Sequence, residues 1–316
     1  MHISFAVLLR TPYYFDAMNR LSAWIQASRP ASQSYIAFPI VLGQMIAATM
    51  LGRVDWPAFV LAQLFGLFDQ LYIVYANDWA DVETDRRNTT FNMFSGGSRA
   101  IVDGKLSRRA VGRAAIVCVA LALVTGVGLW LRTGSPAPLL LIATGVLLLY
   151  GYSFPPLRLS YRGGGETLQM LGVGGVLPLV GFTAQGGTLG TFPWAVLAIT
   201  LPISLGCAIA TSLPDEPSDR LSNKRTVSVL LGVRTAQIVA LVLATATVLA
   251  WLILAPANSW VIIAAVAFVP AFFLALALPK TGSDPGTRGL TSLVTRFVAA
   301  NVLFFLTASV GIAAMI

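Results

Sequence analysis

Histidine is nearly missing from this chain, with His2 its single copy, and cysteine occurs only as Cys118 and Cys207. Both cysteines lie inside apolar runs, far apart, which argues against a disulfide framework or a thiolate zinc site. A lone histidine at the terminus argues against imidazole catalysis. Charge is the larger deficit: 11% of the 316 residues are charged and 56% are hydrophobic. Soluble domains carry about 25% charged residues, so this composition belongs in a bilayer. No polar stretch exceeds a loop, so residues 1–316 read as a single polytopic membrane domain. The net charge of +8 would suggest nucleic acid in a soluble protein. Here the excess of Lys and Arg on cytoplasmic loops accounts for it, and no nucleic-acid partner is expected. The N-terminal run Ile3–Leu9 is too short for a secretory signal, and the charges of Arg10, Asp16 and Arg20 prevent its extension. Residues 1–30 are instead expected to form an interfacial segment, with Tyr13–Trp24 at the headgroup level.

The chain is rich in long apolar runs. A membrane helix needs about 20 apolar residues, and nine candidates fit: Ser34–Met50, Trp56–Ala76, Ala110–Leu131, Pro138–Tyr152, Glu166–Ala184, Pro193–Leu213, Thr235–Leu254, Trp260–Leu278 and Leu290–Ile316. The fourth is the shortest. These runs predict an all-α membrane protein of about nine transmembrane helices. With the N-terminus in the cytoplasm, inside segments hold 19 of the 21 Lys and Arg, leaving only Arg53 and Arg132 outside. That asymmetry sets the orientation.

Carboxylates are also segregated. Asp78, Asp81, Glu83 and Asp85 come after the second helix, and Asp215, Glu216 and Asp219 after the sixth. Two acidic clusters after helices four apart suggest a four-helix unit used twice, with a ninth helix added. The loops at 79–109 and 214–234 are then the expected cytoplasmic active-site loops. Asn77, Asp81 and Asp85 stand at i, i+4 and i+8, one face of a continuing helix, and Asp215 and Asp219 repeat the i, i+4 spacing. Carboxylates packed this closely repel one another, and a hard divalent cation removes the repulsion. Mg²⁺ takes oxygen ligands and shares its shell between carboxylates and substrate phosphates. Two such groups facing one cavity can hold a diphosphate, with Arg86, Arg87, Arg99, Arg158, Arg162, Lys224 and Arg225 as the nearest cations to clamp it. The bland alternative is solvated loop carboxylates answering the basic residues around them. Within the first long loop, the glycines of Phe94-Ser95-Gly96-Gly97-Ser98-Arg99 either face an anion with backbone N–H groups or only make a turn.

These residues resemble the UbiA superfamily of intramembrane prenyltransferases. Asn77-Asp78-x-x-Asp81-x-x-x-Asp85 resembles its first aspartate motif, and Asp215-x-x-x-Asp219 with Lys224-Arg225-Thr226 its second. The stretch from Tyr152 through Pro155-Pro156, Arg158, Tyr161 and Arg162 to Glu166, with Arg29-Pro30, Pro39 and Gly43, is similar to the menaquinone-pathway branch, which prenylates 1,4-dihydroxy-2-naphthoate. The resemblance implies a UbiA-like bundle, Mg²⁺ dependence, a prenyl diphosphate donor and an aromatic acceptor, in the cell (inner) membrane with the site cytoplasmic. It implies metal-site roles for Asn77, Asp81, Asp85, Asp215 and Asp219, with Asp78 and Asp85 supporting them or holding a second ion. Arg86, Arg99, Arg158, Arg162 and Lys224 are the expected diphosphate contacts. Tyr152 is expected either to face the allylic cation or to be an interfacial tyrosine. Asp78, Asp81, Asp85, Asp215, Asp219 and Tyr152 together form the expected catalytic set. Two departures stand out: Asn223 replaces the glycine usual before the lysine, and Pro217 interrupts Asp215–Asp219. A terpene cyclase on the same scaffold remains open, since ionisation is common to both. A transporter is the third reading, with Asp69 inside the second span as its best residue.

Overall fold

The computed structural model describes residues 12–255 and 260–314, with side chains from residue 19 onward. The N-terminal run Ile3–Leu9 and His2 lie outside the described residues, as does Ile316 at the end of the last expected span. The described chain is helical, and its only β-type pairing is the isolated bridge between Asn92 and Ser95. In chain order the helices are α1 (Pro12–Ser28), α2 (Gln33–Leu51), α3 (Trp56–Ala80), α4 (Val82–Arg86), α5 (Arg108–Thr133), α6 (Ala137–Ser153), α7 (Leu159–Arg162), α8 (Gly165–Ala184, with a π-helical stretch at Leu171–Val176), α9 (Leu197–Ser212), α10 (Glu216–Leu221), α11 (Val227–Leu231), α12 (Val233–Leu254), α13 (Trp260–Ala277) and α14 (Arg288–Ala313).

Among the described residues, eight helices are long and apolar enough to cross a membrane, the first and fifth of them continuing into neighbouring helical segments. The remaining expected span, the fourth, is α6, which has 17 residues. At 1.5 Å per residue it reaches about 26 Å, slightly under a hydrocarbon core of about 30 Å. The repeat read from the acidic clusters corresponds to α2, α3, α5 and α6, then α8, α9, α12 and α13, with α14 added.

Local chemistry explains how neighbours pair. Pro57 sits in the first turn of α3, where its missing N–H costs nothing, and Asp55 caps that turn by accepting from Ala58 N at 3.1 Å. Asp55 also accepts from Arg132 Nε at 2.8 Å, near the far end of α5. At the opposite end Arg108 Nε donates to Trp79 O at 3.0 Å, so α3 and α5 run antiparallel and are tied at both ends. Between the repeats, α2 and α8 touch through their backbones. A Cβ added at Gly43 would lie 1.9 Å from Pro178 O, and one at Gly181 would lie 2.0 Å from Ile40 O. Small residues permit such approach where burial drives little helix association. Gly181→Ala is therefore expected to cost about 1–3 kcal/mol through overpacking. A melting temperature equal to wild type in detergent would contradict this crossing.

Candidate active site

The acidic end of α3 carries the first half of the site. The helix is interrupted at Asp81, then resumes as α4, but its ladder persists: Asp81 N donates to Asn77 O and Asp85 N to Asp81 O, each at 2.9 Å. Asn77, Asp81 and Asp85 thus keep their common face, and all three line one cavity of about 100 Å³. The second half comes from the end of α9. Proline at 214 and 217 converts the chain to a 3₁₀ turn, Leu213–Asp215, and then to α10, with Pro217 tolerated in the first turn of α10. This change of helix type brings Asp215 and Asp219 into the same cavity lining as Asn77, Asp81 and Asp85.

Lys224 joins the halves. Its Nζ donates to Asp81 Oδ2 at 2.8 Å and stands 3.4 Å from Asp219 Oδ1, almost out of contact with solvent. Burial disfavours the ammonium charge, but the Asp81 and Asp219 carboxylates outweigh burial and hold its pKa well above the ordinary lysine value. The turn that presents it has Asn223 at φ 57. That left-handed conformation suits glycine and is tolerated by asparagine, so the departure from the family's usual residue keeps the turn.

Three loop groups converge on one oxygen of the second cluster. Asp215 Oδ1 accepts from Ser95 Oγ at 2.7 Å and from Asn88 Nδ2 and Gly96 N at 2.9 Å each. Both readings of the glycine pair therefore apply: it makes the turn and turns an N–H toward an anion, which here is the chain's own carboxylate. At Gly97, φ is 67 and an added Cβ would lie 2.2 Å from Asp85 Oδ2. Gly97→Ala is expected to displace Asp85 and lower the rate of turnover by about tenfold or more, the scale of roughly 1.4 kcal/mol. Full activity in this variant would mean that Asp85 is free to move.

Other expected residues are placed differently. Asp78 is buried outside the cavity lining, where it pairs with Arg29 and accepts from Ser98 Oγ and, at 3.2 Å, from Ser98 N. It anchors the long loop and the segment before α2. Arg86 is exposed and pairs with Glu83 at 2.9 Å, because one residue beyond Asp85 is about 100° around the helix from the acidic face. Arg99 pairs with Asp103 at 3.1 Å, Arg158 lies 3.6 Å over the Tyr161 ring, and Arg162 is exposed. Of the five expected diphosphate cations only Lys224 lines the cavity, where it is joined by Arg29. Tyr152 also lines it. Sequence reasoning did not select Arg29, Asn88, Ser95, Tyr161 or Glu166. Tyr161 donates to Asp81 Oδ1 at 2.9 Å, and burial together with the Asp81 charge raises its pKa and keeps it a donor. Glu166 lines the cavity and accepts from Val227 N at 2.8 Å. Two signals pointed to Glu166, its place in the resembling stretch and a carboxylate at the start of an apolar span.

The donor set suits a hard cation. Among the described residues, the Asp85 carboxylate accepts no hydrogen bond and forms no ion pair, and Asp215 Oδ2 and Asp219 Oδ2 are likewise left open. Burial, then the charges of Asp81, Asp78 and Asp215, push the Asp85 pKa up to about 8. Among the described residues, no three His, Cys, Asp or Glu are gathered tightly enough to hold a metal alone.

The sequence model of the UbiA prenyltransferase family matches residues 36–291. The chain belongs to that family. It is an intramembrane prenyltransferase, and the carrier reading lapses. It is 28% identical over 292 residues to the 1,4-dihydroxy-2-naphthoate octaprenyltransferase of Mycobacterium tuberculosis, covering 88% of this chain and 91% of that protein. It is 30% identical over 211 residues to the lycopene elongase/hydratase of Halobacterium salinarum, covering 65% and 70% respectively. In fold it is similar to a UbiA homolog from Archaeoglobus fulgidus bound to GPP and Mg²⁺, with a TM-score of 0.71 and 18% identity, covering 92% of this chain and 99% of the other.

Proposed function

We propose that this prenyltransferase moves a prenyl or polyprenyl group from a prenyl diphosphate to an aromatic acceptor, with 1,4-dihydroxy-2-naphthoate the first choice, using Mg²⁺ at the cytoplasmic side of the cell membrane. The observation that carries this reading is the shared cavity: Asn77, Asp81 and Asp85 face Asp215 and Asp219 across it, with Lys224 linking the halves. The naphthoate acceptor is supported by the mycobacterial relative, and the cytoplasmic side by the 19 of 21 Lys and Arg on that face.

Asn77, Asp81, Asp85, Asp215 and Asp219 are the residues that would hold the ion, and Asp78 sets their frame through Arg29 and Ser98. Bound Mg²⁺ supplies charge neutralisation for the departing diphosphate. Lys224 and Arg29 bind diphosphate oxygens as preorganised donors in the cavity lining. The Tyr152 ring faces the allylic carbon as positive charge develops there. The acceptor carbon then captures that cation.

Asp85 gives the site a pH signature. With no cation bound, it keeps its proton below about pH 8, and cation binding must expel that proton. The Mg²⁺ concentration for half-maximal activity is expected to fall as pH rises from about 6.5 to about 8.5, then level. The ion-free protein behaves oppositely: its folded state binds a proton that the unfolded state releases above about pH 4, so stability declines as pH rises toward 8. A pH-independent Mg²⁺ requirement would remove Asp85 from the ion site.

The deciding experiment offers the purified protein a panel of prenyl diphosphates and acceptors and identifies products by mass spectrometry. Prenylated naphthoate is expected. Cyclised hydrocarbon or alcohol formed without acceptor would make it a terpene cyclase. A second acceptor reading, transfer to a polyene, is favoured by the halobacterial relative, and extended lycopene among the products would establish it.

A further inference from the structure

Away from the active site, α12 and the end of α13 enclose an apolar groove of about 460 Å³, within the range of about 300–1,000 Å³ typical of small-ligand pockets. Its lining includes Leu241, Leu249 and Leu278 and shares no residue with the catalytic cavity. Ile238, Val242, Leu249 and Leu278 are exposed, as expected for helices facing lipid. An apolar face alone would call for nothing more than bulk acyl chains.

The end of the groove is different. Arg234 precedes Ile238, Leu241, Val242, Thr245 and Leu249 at i, i+4, i+7, i+8, i+11 and i+15, so an exposed arginine continues the lining stripe. Gln237 clamps the turn after α13 to the same place: its Oε1 accepts from Gly282 N at 2.6 Å and its Nε2 donates to Ser283 O at 3.0 Å. Lys280 and Thr281 are thereby held beside the first turn of α12. Thr281 lines the groove. Neither Arg234 nor Lys280 forms an ion pair among the described residues, and Asp284 is the only carboxylate of the turn. This end lies on the active-site face, since a Cβ at Gly286 would stand 3.1 Å from Thr90 Cγ2, and Thr90 donates to Pro214 O at 3.0 Å.

We propose that this groove binds an anionic glycerophospholipid, with an acyl chain along α12 and the phosphate between Arg234 and Lys280. An apolar channel ended by two unpaired cations matches a ligand with a long tail and an anionic head. A zwitterionic headgroup carries its own ammonium and gains less from the pair.

The test titrates the purified full chain in uncharged detergent with phosphatidylglycerol or phosphatidylcholine, reading melting temperature and lipid retention by native mass spectrometry. Phosphatidylglycerol is expected to raise the melting temperature, and phosphatidylcholine to leave it nearly unchanged. A basic residue near an anionic headgroup contributes about fivefold in affinity, so Arg234→Gln with Lys280→Gln should weaken phosphatidylglycerol binding roughly 30-fold, leaving lipid-free stability and turnover in detergent unchanged. Val242→Trp, which fills the groove without altering charge, should also abolish retention. Equal stabilisation by the two lipids overturns the proposal, as does undiminished phosphatidylglycerol binding in both variants. Displacement of phosphatidylglycerol by geranylgeranyl diphosphate at its KM would overturn it too, making the groove a donor site.

Discussion

Lys224→Met is expected to lower prenyl transfer by about 10²–10³-fold, the scale for losing one preorganised donor at a site of developing negative charge. The same substitution should tighten Mg²⁺ binding. Lys224 Nζ is the cation now lying against Asp81 at 2.8 Å and Asp219 at 3.4 Å, and without it the two carboxylates face each other uncompensated. Removing one partner of a buried charge set costs about 3–5 kcal/mol, so the ion-free variant should melt well below wild type. Added Mg²⁺ should recover more stability in the variant than in wild type. Opposite movements of turnover and metal affinity separate this role from a structural one. Initial rates at saturating Mg²⁺ and Mg²⁺-dependent melting measure both. Lys224→Arg, which keeps the charge, should retain part of the activity. Unchanged Mg²⁺ dependence in the methionine variant would show that Lys224 and the ion do not share these carboxylates.

Asp81→Asn and Asp219→Asn should each reduce turnover by about 10²–10³-fold, with little further loss when combined. They sit on different elements but contact one ammonium, so they act as a unit rather than as independent contributors. Asp78→Asn should behave differently. Its carboxylate, itself outside the cavity lining, anchors Arg29 and Ser98, so its loss is expected to lower the melting temperature more than it lowers turnover at saturating Mg²⁺. Rates and melting temperatures of the four variants decide the matter. Fully additive losses at Asp81 and Asp219 would mean two separate sites.

Much of this was legible before any coordinates. Local backbone geometry preserved the phase of Asn77, Asp81 and Asp85, because the i→i−4 ladder runs through the interruption at Asp81. Pro217 marked an interruption between Asp215 and Asp219, and the chain changes helix type there. Selection among the arginines was not legible. Arg86 and Arg99 follow the first cluster in sequence, and Arg158 and Arg162 stand in the stretch that carries the resemblance, but the cavity receives Arg29 instead. Proximity along the chain says little about a side chain whose direction depends on helical phase and on the loop it leaves. The grip on Asp215 was equally hidden, since Asn88 is 127 residues away and its companions Ser95 and Gly96 sit in a loop without periodicity.

Composition and periodicity alone determined that this chain is a helical membrane protein with paired acidic stretches, because the bilayer imposes span length and forbids stray carboxylates. Only the tertiary structure decided that one lysine connects those stretches, that Asp78 anchors a loop outside the cavity lining, and that glycine is required at position 97. Those outcomes depend on which side chains meet across helices packed far apart in sequence, and such meetings leave no local pattern to read.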